Sequence, residues 1–178
     1  MTHDGFAWGL FLGMITLTGC LTLRPPLETV PQVDLPRFMG DWYVIANIPT
    51  FVEKKAYNAV ESYKLNEDGT IATTFTFRKG SFDGKVKKHT PKGFVRDKNS
   101  NALWGMQFVW PFKGDFRIIY LSEDYGQTVI GRQKRDYVWI MARQPSIPEP
   151  DYQRILVKLA RDGFDFSKIQ MVPQRCES

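Results

Sequence analysis

The stretch "GDWYVIANIP", Gly40 to Pro49, decides the fold. It follows a run rich in turn-formers and then reads as an amphipathic strand, with Trp42, Val44 and Ala46 on one face, because successive side chains of a strand point to opposite sides. Gly40 frees the backbone to turn into that strand. A side chain as large as Trp42 at the head of the strand needs an interior that can bury it, and the rest of the chain has to supply one.

With 178 residues the chain is long enough for one domain with a sizeable core and too short for two of ordinary size. Aromatic residues are 14% of the total and recur through the middle of the chain instead of gathering in one block, as expected when many short strands share one interior. Turn signals then divide the sequence at steady intervals: "NEDG" at 66–69, "KGSFDG" at 79–84, "DKNSN" at 97–101, "FKGD" at 112–115, "EDYG" at 123–126 and "RQKRD" at 132–136. The intervening runs place eight strands near 41–49, 57–65, 70–78, 85–95, 102–110, 115–122, 127–132 and 137–143. Short links make them an antiparallel meander. The expected fold class is all-β: an eight-stranded antiparallel up-and-down barrel, the size that closes around one small ligand. "PEPDYQRILVKLARDG", 148–163, changes to helical period and predicts one C-terminal α-helix packed on the outside, after which "KIQMV", 168–172, can add a short final strand.

The first residues follow other rules. "GFAWGLFLGMITLTG", 5–19, is an apolar stretch too short to span a bilayer comfortably, so residues 1–19 are expected to be a signal peptide. "LTGC", 17–20, resembles a bacterial lipobox, and that resemblance implies acylation of Cys20, cleavage before it and, with Leu21 following, retention in the outer membrane. The n-region "MTHD" departs from the pattern in having no Lys or Arg. Pro25, Pro26 and Pro31 predict that residues 20–33 form an extended tether reaching roughly 40 Å from the bilayer, leaving 34–178 as the domain. The only other cysteine is Cys176; if Cys20 is not acylated, a disulfide between the two becomes possible in an oxidising compartment.

Taken together these residues resemble the lipocalin family, in particular its bacterial outer-membrane lipoprotein members, the branch related to apolipoprotein D. "RFMGDWYVIANIP" is similar to the family's first motif, on Gly40, Trp42 and Tyr43; "YLSEDYGQTVIG" stands in place of the second; "RDYVWIMAR" resembles the third and ends on Arg143. The usual Thr-Asp pair of the second motif is absent: Ser122 stands near the expected acid, with Glu123 or Asp124 as substitutes. The resemblance implies a structural barrel floor of Gly40, Trp42 and Arg143, with the arginine lying across the tryptophan ring.

Strand alternation nominates the lining: Val44 and Ala46 on the first strand, Phe75 and Phe77 with Ile71 and Thr73 on the third, Trp104, Met106 and Phe108 on the fifth, Phe116, Ile118 and Tyr120 on the sixth, and Tyr137 and Trp139 beside Met141 on the eighth. Such walls, apolar with a few hydroxyl handles, suit a hydrophobic or amphiphilic ligand. Burying about 15 methylenes at ~0.8 kcal/mol each gives on the order of 10 kcal/mol before ordering costs, so a fatty acid or lysophospholipid is the expected ligand. The basic run "KVKKHTPKGFVRDK", 85–98, and the net charge of +5 fit anionic headgroups at the mouth or a membrane surface; export makes nucleic acid an unsuitable partner. With two histidines in the chain and no nucleophile-elbow, zinc-protease, P-loop or dinucleotide motif, the expectation is a non-enzyme without metal or cofactor. The rival expectation is a surface-acting interaction lipoprotein with a filled barrel, monomeric or dimeric, with a lipocalin-type enzyme further behind.

Overall fold

The computed structural model describes residues 24–175, so Cys20 and Cys176 lie outside the described residues. Ten strands carry the fold: β1 (Gly40–Ile48), β2 (Ala56–Leu65), β3 (Thr70–Lys79), β4 (Val86–His89), β5 (Lys92–Val95), β6 (Leu103–Val109), β7 (Phe112–Leu121), β8 (Gln127–Gly131), β9 (Val138–Ala142) and β10 (Gln170–Met171). Neighbours in sequence pair antiparallel except that β4 and β5 both pair with β3 and β10 pairs with β1, and β1 pairs with β9 to close the wall. The result is the expected eight-position barrel, with β4 and β5 sharing the fourth position and β10 added at its edge. Pro91 causes the split: it has no N–H for a ladder, and the expected single strand 85–95 breaks into one piece on the upper half of β3 and one on its lower half.

The two helices sit at different places. α1 (Leu35–Phe38) leads into β1 and covers one end of the barrel, its N-cap Asp34 accepting from the Arg37 N–H. α2 (Glu149–Arg161) buries Ile155 and Leu159 against the outside of the wall, as its apolar spacing predicts. There it meets Ile45, Ile48, Ile119, Val129, Val138 and Ile140, which form an outer core separate from the one inside the barrel. β10 lies along β1 beyond the point where β2 has diverged, and the chain after it laces the two: Asn58 N donates to the Pro173 carbonyl at 2.9 Å, and Gln174 Nε2 donates to the carbonyls of Val44 and Ala59 at 2.8 and 3.0 Å.

Residues 24–33 depart from expectation. They are not a free tether but a strap packed along β7, with Leu27 in the outer core and Val33 in the inner one: Leu27 and Val33 are 3% and 1% exposed, Val30 N donates to the Ile118 carbonyl at 2.9 Å, and Val33 N to that of Ser100 at 2.7 Å. The prolines suit this strap because the extended backbone they impose is what lies flat along a strand. Both cores and every described element fall between Leu27 and Val172, so the strap belongs to the folded unit.

The covered end is built on Arg143. Its guanidinium carbon lies 3.8 Å from the Trp42 ring centroid, and its two terminal nitrogens donate to the carbonyls of Asp41 at 2.8 Å, Arg37 at 2.9 Å, Phe38 at 3.0 Å and Met39 at 2.8 Å. Trp42 Nε1 donates to the same Phe38 carbonyl at 2.9 Å. Gly40 has φ +92°, and a Cβ there would come within 3.4 Å of the Arg143 Nη1, so both backbone and space favour glycine. Trp42→Ala is expected to cost about 3–5 kcal/mol and Arg143→Ala about 2–3 kcal/mol, the first through a cavity and the second through orphaned carbonyls. In urea unfolding the double variant should be less destabilised than the sum by about 1–2 kcal/mol, since each substitution removes the shared contact.

Candidate functional site

The interior divides at mid-height. Toward the covered end the rings of Phe38, Tyr63, Trp104 and Phe116 pack across the barrel: Phe38 to Trp104 at 5.6 Å, Tyr63 to Trp104 at 5.7 Å, Tyr63 to Phe116 at 6.3 Å, with Trp104 stacked on Phe116 at 5.1 Å. These contacts join β2 to β6 and β7 through the centre and fill that half. Toward the open end the pattern differs. Among the described residues, Phe75, Phe77 and His89 stack on one another at 5.2–6.3 Å along β3 and β4, contacts that run with the wall and not across it.

Most of the residues nominated by strand alternation lie on the inner face. Val44, Phe75, Phe77, Trp104, Met106, Phe116 and Ile118 belong to the inner core, and Trp139 packs against it. Four do not lie there. Ala46 sits in the outer core because the β1–β9 register shifts between Val44 and Ala46, a bulge that turns Ala46 outward and brings the buried Asn47 opposite Trp139. A second bulge, between Ile118 and Tyr120 in the β7–β8 ladder, moves Tyr120 to the outer core. A third, between Met106 and Val109, leaves Phe108 64% exposed near the β6–β7 turn. Tyr137 precedes the first ladder residue of β9 and packs against the outer core, under Arg132 at 5.2 Å. Each bulge inserts a residue that the two-residue period cannot foresee.

The polar groups of the interior were not foreseen either. Glu61 faces inward, opposite Trp42 on β1 and Phe75 on β3, and accepts a hydrogen bond from the Tyr63 hydroxyl. Burial pushes its carboxyl up to about 7; the Tyr63 hydrogen bond opposes that rise, and nearby Glu53 adds to it. Glu53, buried in the β1–β2 connection, accepts from Trp139 Nε1 and Thr50 N, both at 2.8 Å. The signal was available: Glu61 shares strand parity with the aromatic Tyr63 and lies on the face that strand pairing turns inward. Among the described residues no group of His, Cys, Asp and Glu is placed to hold a metal ion.

At the covered end the second-motif loop is organised by Asp124. Its Oδ1 accepts from the Ser122 hydroxyl at 2.6 Å and the Gly126 N–H at 2.9 Å, and these hydrogen bonds hold the carboxyl below the usual carboxylate range. The Gly126 carbonyl in turn accepts from the Arg143 N–H at 2.9 Å, tying this loop to the same arginine that fixes α1.

The wall also has surface clefts. One of about 390 Å³ lies between α2 and the C-terminal segment, lined by Ile45, Ile147, Tyr152 and Val172; another of about 520 Å³ lies over Tyr43, Val60 and Arg78.

Comparison with known proteins matches this architecture. The lipocalin-like domain family matches residues 33–174. Temperature-induced lipocalin-1 of Arabidopsis thaliana is 30% identical over 166 residues, covering 86% of each chain, and outer membrane lipoprotein Blc of Escherichia coli is 28% identical over 162 residues, covering 89% of this chain and 90% of that one. Among solved structures, a major cockroach allergen superposes with a TM-score of 0.63 at 16% identity, covering 85% of this chain and 93% of the other. An arginine and a tryptophan stacked across the barrel floor, a meander closed by β1 on β9, and a match over residues 33–174 make the chain a member of the lipocalin family.

Proposed function

We propose that this lipocalin binds a single-chain amphiphile, a fatty acid or lysophospholipid, with its tail inside the open half of the barrel and its head at the mouth, and stores or moves it in a bacterial envelope. The observation that carries the reading is the division of the interior: rings fill the covered half, whereas Phe75, Phe77 and Trp139 clad the open half along its wall. An apolar wall of this kind contributes through the hydrocarbon. Glu61, inward and opposite Trp42, sets the direction, because a buried carboxyl toward the covered end disfavours an anionic head at depth, while Lys85, Lys87 and Lys88 stand exposed on the connection into β4 and along it at the open end.

Acylation of Cys20 would hold the protein in the outer membrane, a reading supported by "LTGC" and by the similarity to outer membrane lipoprotein Blc. No described helix is long and apolar enough to cross a membrane. Binding and transport are the typical work of the family, and the reading assigns no catalytic residue. The filled covered half favours one rival, a barrel that acts only through its surface.

Native mass spectrometry of protein extracted from membranes is expected to show a fraction with one bound fatty acid or lysophospholipid. Recovery of empty barrel alone, with no displacement of a fluorescent fatty acid, would favour the surface-acting rival. A second prediction concerns Glu61. Between the ordinary carboxylate value of 4.5 and about 7 the native state keeps a proton that the unfolded chain has released. Stability therefore falls as pH rises across that window, by roughly 3 kcal/mol in all, and is level above it. Glu61→Gln keeps an acceptor for Tyr63, so its unfolding free energy should be flatter between pH 5 and pH 7 and exceed that of the wild type at pH 8; equal slopes would show that Glu61 ionises freely in the fold.

A further inference from the structure

The open rim carries side chains that neither the fold nor the barrel ligand uses. β6 and β7 run past the last β7–β8 pair, Arg117 with Gly131, and end in a turn that stands beyond the rim. On this hairpin Val109, Trp110 and Phe112 are 67%, 81% and 76% exposed, and Phe51, in the β1–β2 connection at the same end, is 81% exposed. Apolar side chains this large, gathered on protruding loops of one end, are what an interaction surface looks like. They stand among cations. Lys54 and Lys55 follow Phe51, Lys85, Lys87 and Lys88 lie on and just before β4, and Lys113 lies 3.5 Å over the Phe94 ring. At the opposite end acids and cations alternate: the turns at 66–69 and 122–126 hold Glu67, Asp68, Glu123 and Asp124, but Lys92 pairs with Asp68 at 3.2 Å, Arg37 donates to the Glu123 carbonyl at 3.3 Å and Lys98 lies in the turn at 97–101.

The strap supplies an independent observation. It runs from the open rim to the covered end, and its start is fastened at the rim: Arg135 Nη2, in the turn between β8 and β9, donates to the Pro25 carbonyl at 2.8 Å, and Leu27 N donates to Gln133 Oε1 at 2.9 Å. The chain ahead of Pro25 therefore departs from the same end as the aromatic hairpin. Four residues lie between Cys20 and Pro25, a reach of at most ~18 Å over five steps.

We propose that the open rim docks on the surface of an anionic bilayer, with Trp110 and Phe112 seated among the headgroups, the surrounding lysines on lipid phosphates, and the barrel mouth held against the membrane. Aromatic side chains ringed by lysine are suited to that interface, where the ring enters the apolar boundary and the ammonium meets phosphate. A second copy is a poor occupant, because a two-fold contact would place this lysine-rich rim against itself. The proposal needs neither acylation of Cys20 nor an amphiphile in the barrel, so it fails or stands apart from the ligand reading.

The test uses Leu21–Ser178, which contains both cores and every described element, sedimented with vesicles of phosphatidylcholine alone or mixed with phosphatidylglycerol. Binding is expected to the mixed vesicles and to be about tenfold weaker without the anionic lipid. Trp110→Ser with Phe112→Ser should weaken it about tenfold or more while the melting temperature holds, both positions being exposed. Acyl-chain bromines should quench part of the tryptophan emission, and Trp110→Phe should abolish that quenching. Three results would overturn the proposal: no sedimentation with either vesicle, binding indifferent to the serine pair, or self-association of the chain that the same pair abolishes.

Discussion

One guanidinium organises the covered end. The carbonyls of Arg37, Phe38 and Met39 have no helical partners because α1 is a single turn, and a helix end buried without acceptor satisfaction is costly. Arg143 can satisfy all of them at once because its donors form a planar fork, and the same plane stacks on Trp42. Lysine offers neither the fork nor the plane. The residue immediately after β9 therefore supplies the group that fastens α1, the head of β1 and, through its own N–H, the Asp124 loop. The α1–β1 segment and the Asp124 loop, distant in sequence, thus meet at one residue, the first through its side chain and the second through its backbone.

That fastening explains the asymmetry of the interior. Trp42, pinned by Arg143 and by the Phe38 carbonyl, presents a fixed surface on which Phe38 packs at 5.0 Å, and the rings of Tyr63, Trp104 and Phe116 follow from there across the barrel. Farther up no such anchor exists. The wall opens as well: β4 pairs with β3 alone, so the ladder around the barrel is interrupted beside the β6–β7 hairpin. Rings packed across the floor and rings running along the wall above it thus follow from where the chain places its Arg143–Trp42 pair.

The fold was legible in the sequence because its determinants are local and periodic: turn-formers at each end of short alternating runs, one change to helical period, and the Gly40, Trp42 and Arg143 positions. The departures are non-local. Ala46, Tyr120 and Phe108 each lie at or near a register shift, which depends on how one strand meets its neighbour and leaves no trace in its own alternation. The strap was misjudged for a related reason. Its prolines announce extended backbone, but extended backbone serves equally for a tether in water and for a segment laid on β7, and only the burial of Leu27 and Val33 separates them. Glu61 escaped notice because a carboxylate in an alternating strand is ordinarily solvent-facing, whereas here the residue's parity puts it opposite Trp42.

Charge and polarity then run the same way along the barrel axis. The buried Glu61 carboxyl, opposite Trp42, would keep an anionic head from descending, and the lysines of the rim would attract one. An amphiphile bound tail-down ends with its head at the height where lipid headgroups would lie if the rim rests on a bilayer. The strap begins at that same height, so an anchor attached ahead of Pro25 would draw the mouth toward the membrane and not away from it. A free tether of residues 20–33 would have left the barrel's orientation unset. Packing residues 24–33 on β7 limits that freedom, and with the rim docked as proposed the path between bilayer and barrel interior would be one of lateral transfer through a mouth in contact with its source.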